Sequence, residues 1–229
     1  MDHKHVQLIA KQTIERIRTE IRAGMTLLQV RERCEKMMRE LGADSFWYYN
    51  VGALVFAGDE TTLSVSGRNY ETADRTLEQE DMLTIDLSPQ WRDLWGDYAR
   101  TIVLQNGRVV EDLTDIRNEE WKNGLLMEEK LHAELIHFAR PGVTFEQLYE
   151  HMNAFITEHG FINLDFNGNL GHSIEKHRDA RIYIEKGNHK QLDEVKYFTF
   201  EPHISQPGSV YGYKKENIYY FEKGQLKEL

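Results

Sequence analysis

A single cysteine, Cys34, stands among 229 residues, so no intrachain disulfide can form and a cysteine-rich zinc site is excluded. Such sparse cysteine use also accords with a reducing compartment. Basic charge is in deficit: 28 Lys and Arg face 38 Asp and Glu, for a net charge of −10. Phosphate backbones and anionic lipid need a local basic surface, so nucleic acid and membrane are not expected as partners. No stretch approaches the 18 or so apolar residues of a transmembrane helix. The opening MDHKHVQ lacks the basic and then apolar order of a signal peptide. A cytoplasmic protein is the expectation. Four prolines are present, and no Pro/Gly/Ser-rich linker divides the chain. Several catalytic signatures are also missing: HExxH, the phosphate-binding P-loop, the dinucleotide glycine set, CxxC and the G-x-S-x-G elbow.

The remaining composition is that of a globular chain. Hydrophobic residues make up 40% and charged ones 29%, enough for a sizeable core without cross-links. Val6, Ile9, Ile14, Ile17 and Ile21 recur near helical spacing and predict a helix over Val6–Ile21, stopped at Ala23-Gly24. Thr26 with Gln29 is a capping-box signature for a second helix, ended by Gly42. Strands are expected at Phe46–Phe56, Thr62–Val65, Met82–Leu87 and Tyr98–Leu104, with the Trp-rich SPQWRDLWG joining the last two. A long helix, Asn118–Arg140, closes at Pro141-Gly142, and Thr144 with Gln147 opens another that runs to Gly160. Strands follow at Ala180–Ile184, Val195–Phe200, Ser209–Tyr213 and Asn217–Phe221.

The two parts of the chain echo each other. Gly24, Thr26, Gln29 and Gly42 recur as Gly142, Thr144, Gln147 and Gly160, every pair 118 residues apart. Gly stops and Thr-x-x-Gln caps are common individually. A shared offset without insertion points instead to two αα-then-β halves related by pseudo-symmetry. Such halves can close one sheet with helices on its outer face and a site inside. Residues 1–229 are therefore expected to form one catalytic domain.

Five side chains carry the chemical argument. In LTIDLSPQWRDLWGDYART, Asp86 ends a strand pattern and Asp97 starts the next one, 11 residues later. A carboxylate among apolar strand residues needs a partner or a metal. Taken singly, either Asp also reads as turn chemistry. In NGNLGHSIEKH, His172 follows a glycine that permits close backbone approach, while His177 lies in a charged, solvated stretch. Glu201 ends the apolar run of VKYFTFEPHIS, just before Pro202 and His203. Glu216 precedes the final strand in YGYKKENIYYFEKG. Beside Lys214 and Lys215 it also reads as a charged surface turn. Four carboxylates and one imidazole form a hard ligand set suited to Mn, Fe, Co or Zn. Their charge of −4 matches two divalent ions, which at about 3.5–4 Å separation would share bridging carboxylates.

This constellation resembles the pita-bread metallopeptidase family of methionine aminopeptidase, proline aminopeptidase, prolidase and creatinase. The matching passages are TIDLSP with Asp86, GDYART with Asp97 and Arg100, LGHSI with His172, FTFEP with Glu201, and ENIYYFEKGQL with Glu216. They fall in the family's order and span roughly Val6 to Leu226. The resemblance implies an α+β pita-bread fold, with pseudo-symmetric αα-β halves around a curved, mainly antiparallel sheet. It implies two divalent ions, with Asp86 on one, Asp97 and Glu216 bridging both, and His172 and Glu201 completing the other. A bridging water or hydroxide would attack the scissile carbonyl, with Glu201 as acid and base. The expected activity is that of an aminopeptidase or dipeptidase, Xaa-Pro type favoured, on a short peptide or small amide.

Departures from the pattern are concentrated around the substrate. The segment SGRNYETADRTLEQED carries no His where the family usually places one. Position 179 is Asp where a second His is usual, which leaves His177 and His203 as candidate substitutes in catalysis. The separate N-terminal domain of prolidase and creatinase is not expected. Trp91, Trp95, Tyr98 and Tyr70 are candidates to line the pocket. Two other functions stay open: a catalytically inactive or repurposed pita-bread domain that binds a peptide or partner, and a creatinase-like amidinohydrolase. A homodimer is also left open.

Overall fold

The protein's computed structural model describes residues 1–229. Its first half runs through helices α1 (His3–Glu20) and α2 (Leu27–Glu40) into strands β1 (Ser45–Phe46), β2 (Ala53–Ala57), β3 (Asp81–Leu87), β4 (Pro89–Trp91), β5 (Leu94–Trp95), β6 (Tyr98–Gln105) and β7 (Arg108–Val109). The second half repeats the order with α3 (Glu119–Phe138) and α4 (Phe145–Glu158). Strands β8 (Ile162–Asn163), β9 (Phe198–Phe200), β10 (His203–Ser205), β11 (Tyr213–Lys214), β12 (Asn217–Glu222) and β13 (Gln225–Glu228) follow. No helix is long and apolar enough to cross a membrane.

The expected pseudo-symmetry is visible in local chemistry. Thr26 and Thr144 both form complete capping boxes, with Gln29 and Gln147 reaching back to the cap N–H. Each satisfies helix donors that would otherwise lack a partner. Gly24 and Gly142 adopt φ of +90° and +88° in the turns before these caps, a region that favours glycine. The helix faces were legible too. Val6, Ile9, Ile14 and Ile17 of α1 are buried, as are Leu27, Val30, Cys34, Met37 and Met38 of α2.

Each half keeps its own core. One packs α1 and α2 on the face of β2, β3 and β6 that is turned away from Asp86, and the other packs α3 and α4 on β9, β10 and β12. The first sheet is antiparallel in the order β2-β3-β6-β7, with Asp86 opposite Leu54 and Ala99. The second half contributes β13-β12-β9 and β11-β10-β8. The halves meet along β6. The Glu216 N–H donates to the Ala99 carbonyl (3.0 Å), the Lys214 N–H to Thr101 Oγ1 (2.9 Å), and Arg100 Nη1 to the Glu216 carbonyl (2.8 Å). This seam brings the end of the chain against residues more than 110 positions earlier.

Several expected strands differ. Phe46–Phe56 is broken after β1, because Tyr49 and Asn50 turn the chain at φ of 56° and 61°. Thr62–Val65 forms no strand; the 3₁₀ turn Gly58–Thr62 ends there. The Trp-rich connection contains β4 and β5, with β4 paired to β1 on one side and β5 on the other. Ala180–Ile184 is not a regular strand. Its backbone instead meets the Leu170–Ser173 segment, through Ser173 N–H to Ile182 O and Ile184 N–H to Gly171 O (both 2.8 Å). Val195–Phe200 and Ser209–Tyr213 shorten to strands that start at Phe198 and Tyr213.

Candidate metal centre

Asp86, Asp97 and Glu216 converge at the seam. Each offers a carboxylate oxygen, and these oxygens all lie within 4.8 Å of one another. Asp86 comes from β3. Asp97 precedes β6, where Gln7 of α1 holds its backbone: Gln7 Nε2 donates to the Asp97 carbonyl (2.7 Å) and Gln7 Oε1 accepts from the Asp97 N–H (2.9 Å). Glu216 is fixed by its own N–H bond to Ala99 and by Arg100 on its carbonyl. Its side chain is fully buried, and neither carboxylate oxygen has a hydrogen-bond partner. The surface-turn reading of Glu216 is therefore overturned.

His172 and Glu201 face the same point from the second half. Gly171, at φ +133°, lets the chain pass close to β9: a Cβ there would sit 2.4 Å from the Thr199 carbonyl oxygen. That approach lets the His172 N–H donate to Thr199 Oγ1 (3.0 Å) and the Glu201 N–H to the Leu170 carbonyl (2.9 Å). Nδ1 of His172 lies 3.0 Å from the Ser173 carbonyl, which makes it the protonated nitrogen and leaves Nε2 free. Nε2 points to Glu201 Oε1 (3.6 Å) and Asp97 Oδ2 (3.7 Å). Trp47 meets the imidazole edge-on, with ring centroids 5.7 Å apart.

A sixth group enters the cluster. Lys214 Nζ lies 2.7 Å from Asp86 Oδ2 and 3.0 Å from Glu201 Oε2. The sequence reading placed this lysine on a solvated turn. Its position two residues before Glu216 in extended chain was the available signal, since such residues share a face.

The electrostatics follow from burial. Asp97 and Glu216 are pushed well above the usual carboxylate range, by desolvation first and then by the neighbouring carboxylates. Burial likewise raises Asp86, although Lys214 opposes the rise. Burial also works to raise Glu201, but Lys214 and His172 together hold it below its ordinary value. His172 is pushed down to about 4 by burial and is neutral, the form that ligates metal. Two buried, mutually repelling carboxylates with no donor between them lack a counter-cation. Hard carboxylate oxygens beside a free, neutral imidazole nitrogen fit a divalent ion such as Mn, Fe, Co or Zn.

Asp86, Asp97, His172, Glu201 and Lys214 line a cavity of about 610 Å³. Its aromatic lining is Trp47, Tyr48, Tyr49, Phe56, Phe166 and Tyr183, not the expected Trp91, Trp95, Tyr98 and Tyr70. Tyr70 is spent on the Val55 backbone, and Trp95 donates to the Glu175 carbonyl. Tyr98 lies under the Arg100 guanidinium, and Trp91 under that of Arg92. Arg181, missed in the sequence, also lines the cavity and lies over Trp47 and Tyr183 (both 5.2 Å). His203 lines it as well; its Nε2 donates to the Thr61 carbonyl (2.7 Å), and burial lowers it to about 4. His177 is exposed and stands outside the cavity.

Comparison with known proteins agrees with this architecture. A methionine aminopeptidase from Helicobacter pylori is 24% identical over 209 residues, which cover 86% of this chain and 76% of that protein. Among solved structures, an X-Pro aminopeptidase from Thermotoga maritima superposes with a TM-score of 0.80 at 22% identity, covering 98% of this chain and 58% of that one. A prolidase from Pyrococcus furiosus gives 0.79 at 21% identity, covering 98% and 61%. A methionine aminopeptidase from Rickettsia prowazekii gives 0.73 at 16% identity, covering 96% and 92%. The chain thus spans less than two thirds of the X-Pro aminopeptidase and prolidase chains. The likenesses to solved structures show the α+β pita-bread fold, and the model of metallopeptidase family M24 matches residues 2–223. By that match, which takes in every residue of the cluster, the chain belongs to metallopeptidase family M24.

Proposed function

We propose that this protein is a metal-dependent peptidase, an aminopeptidase or dipeptidase that cleaves short peptides, Xaa-Pro substrates favoured. One observation carries the reading: the unpartnered, fully buried Glu216 carboxylate faces Asp86 and Asp97 beside a substrate-sized cavity. Asp86, Asp97, Glu216, His172 and Glu201 would hold two divalent ions. When bound, such ions polarise the scissile carbonyl and lower the pKa of water.

The chain's own groups then have separable tasks. Glu201 takes the proton of the attacking water and returns it to the leaving amine. Its Oε1 is the oxygen for this work, because Oε2 is engaged by Lys214. His203 stands in the cavity with Nε2 committed to Thr61, which leaves Nδ1 to accept a hydrogen bond from substrate. His177 is left out of the mechanism because of its exposed position. Trp47, Tyr48 and Tyr183 offer flat apolar faces that suit a proline ring.

A second reading is a domain that keeps the fold for binding and has lost the reaction. Lys214 favours it, since its ammonium rests on two of the ligand carboxylates. Metal analysis after gentle purification, followed by a panel of Xaa-Pro and Met-Xaa peptides, separates the two. Cleavage that Glu201→Gln abolishes is the expected result. A preparation that binds Mn but turns over no amide overturns the hydrolase reading.

A further inference from the structure

One cation in the cavity has no counter-ion. Two basic side chains, Lys214 and Arg181, line the space, and Lys214 is taken by Asp86 and Glu201. Arg181 forms no ion pair, although the chain carries a net charge of −10. Its side chain is nonetheless fixed. Arg181 follows the 3₁₀ turn Arg178–Ala180, and both its N–H (3.2 Å) and its Nε (2.9 Å) donate to the Arg178 carbonyl. The next residue, Ile182, donates its N–H to Ser173 Oγ (3.0 Å), one position beyond His172. That bond ties the arginine segment to the second half's metal-facing loop. Trp47 and Tyr183 (both 5.2 Å) and Tyr48 (5.8 Å) surround the guanidinium. With Nε engaged, Nη1 and Nη2 donate to nothing in the chain.

Arginine stays charged at every working pH, and its planar fork matches a carboxylate through two parallel hydrogen bonds. Aromatic faces orient the fork and shelter it from water, but they bring no negative charge. A half-buried guanidinium held in one orientation, with its two outer nitrogens unused, is preorganised for an anion. We infer that Arg181 is a specificity residue that reads a carboxylate on the substrate, so that the cavity favours peptides with a free carboxylate close to the scissile amide over neutral ones. This inference rests on the peptidase reading above and deepens it by narrowing the substrates. Two groups carry that chemistry: the α-carboxylate of a dipeptide, and the side chain of an Asp or Glu residue.

The test compares Ala-Pro, Ala-Pro amide and Asp-Pro amide in the presence of Mn. Binding is measured by calorimetry on the full chain carrying Glu201→Gln, chosen to stop cleavage, and turnover on the wild type. One of the two carboxylate-bearing peptides should bind at least about tenfold tighter than Ala-Pro amide. If it is Ala-Pro, the α-carboxylate is the group read; if it is Asp-Pro amide, the side chain is. In turnover the preference should lie in KM more than in kcat. Adding Arg181→Met should bring the peptides within about threefold of one another and leave Ala-Pro amide within about twofold of its former affinity. Arg181→Gln replaces it should the methionine disturb folding. Arg181→Lys, which keeps the charge and loses the fork, should fall between. Equal affinity for all three peptides before Arg181 is changed overturns the inference. So does a preference that survives both Arg181→Met and Arg181→Gln, or an equal loss for all three peptides, which would make Arg181 a packing residue of the ring cluster. Cleavage without the preference removes the inference and leaves the peptidase reading. The preference in binding with no cleavage by wild type does the reverse, and no binding of any peptide overturns both.

Discussion

Gln7 grips the backbone of Asp97 from both sides, accepting from its N–H at 2.9 Å and donating to its carbonyl at 2.7 Å. The pair is separated by 90 residues and wholly buried. Gly96 permits this approach, because a Cβ there would stand 2.9 Å from Gln7 Oε1. Helix α1, remote from the chemistry in sequence, thus fixes where one of the convergent carboxylates sits.

Gln7→Ala should therefore act twice. It strands a buried N–H and a buried carbonyl, a loss of about 1–3 kcal/mol for each group left unsatisfied. It also frees Asp97 to move, so Mn affinity should fall while the helix content of the chain is kept. Denaturant unfolding and a metal titration read the two effects separately. Stability and affinity both equal to wild type would show that the clamp is dispensable.

Metal should stabilise the folded protein, since the trio of carboxylates is assembled only there. At about 100 times its dissociation constant an ion contributes about 2.7 kcal/mol. A rise in melting temperature on adding Mn, reversed by a chelator, is the expected observation. Glu216→Gln should remove most of the rise. It should also leave the metal-free protein no less stable than wild type, because it relieves the repulsion with Asp97, Glu201 and Asp86. A strongly destabilised metal-free variant would show that Glu216 serves the fold and not an ion.

How much of this was legible beforehand varies with the physics of each part. Thr26–Gln29 and Thr144–Gln147 were readable because a capping box is local, and both form. The convergence of Asp86, Asp97, His172, Glu201 and Glu216 followed from their ordered motifs: the structure groups Asp86, Asp97 and Glu216, sets His172 beside Asp97 and Glu201, and lines the cavity with four of the five, Glu216 being buried against Asp86 and Asp97. The strand through Phe46–Phe56 was misread because nothing in the apolar pattern reveals two successive residues at positive φ, Tyr49 and Asn50. That turn carries Trp47 and Tyr48 into the cavity, which is why the pocket aromatics were misassigned. Lys214 was missed for a different reason. A lysine beside a second lysine reads as solvated, and only the close packing of β11 on β6 turns it inward.

Glu201→Gln isolates the proton-transfer role. The amide keeps shape and one oxygen toward the cluster but cannot carry a proton. Loss of a positioned general base lowers turnover by roughly 10²–10⁴-fold. Peptide affinity, measured by equilibrium binding, should change much less. Equal losses in binding and turnover would move Glu201 from proton carrier to scaffold.

Glu128 supplies a pH signature away from the cluster's own ligands. It is buried on α3 with Thr101 Oγ1 donating to it at 2.9 Å. Burial lifts its carboxyl from an ordinary 4.5 to about 8, against the opposing pull of Thr101, Lys215 and Arg100. The folded value exceeds the unfolded one, so the folded chain holds the proton more tightly. Its contribution to stability is complete below about pH 4.5 and is lost as pH rises through about 8. At 1.36 kcal/mol per pKa unit the loss is at most on the order of 5 kcal/mol. Glu128→Gln stays neutral at every pH and can still accept from Thr101, so it removes this dependence. The stability difference between variant and wild type, taken from denaturant midpoints, should grow in the variant's favour from about pH 5 to about pH 8. Other titrating groups are common to both proteins and cancel in that difference. Parallel stability curves across the window would mean that Glu128 ionises without cost, and that water reaches it behind β6.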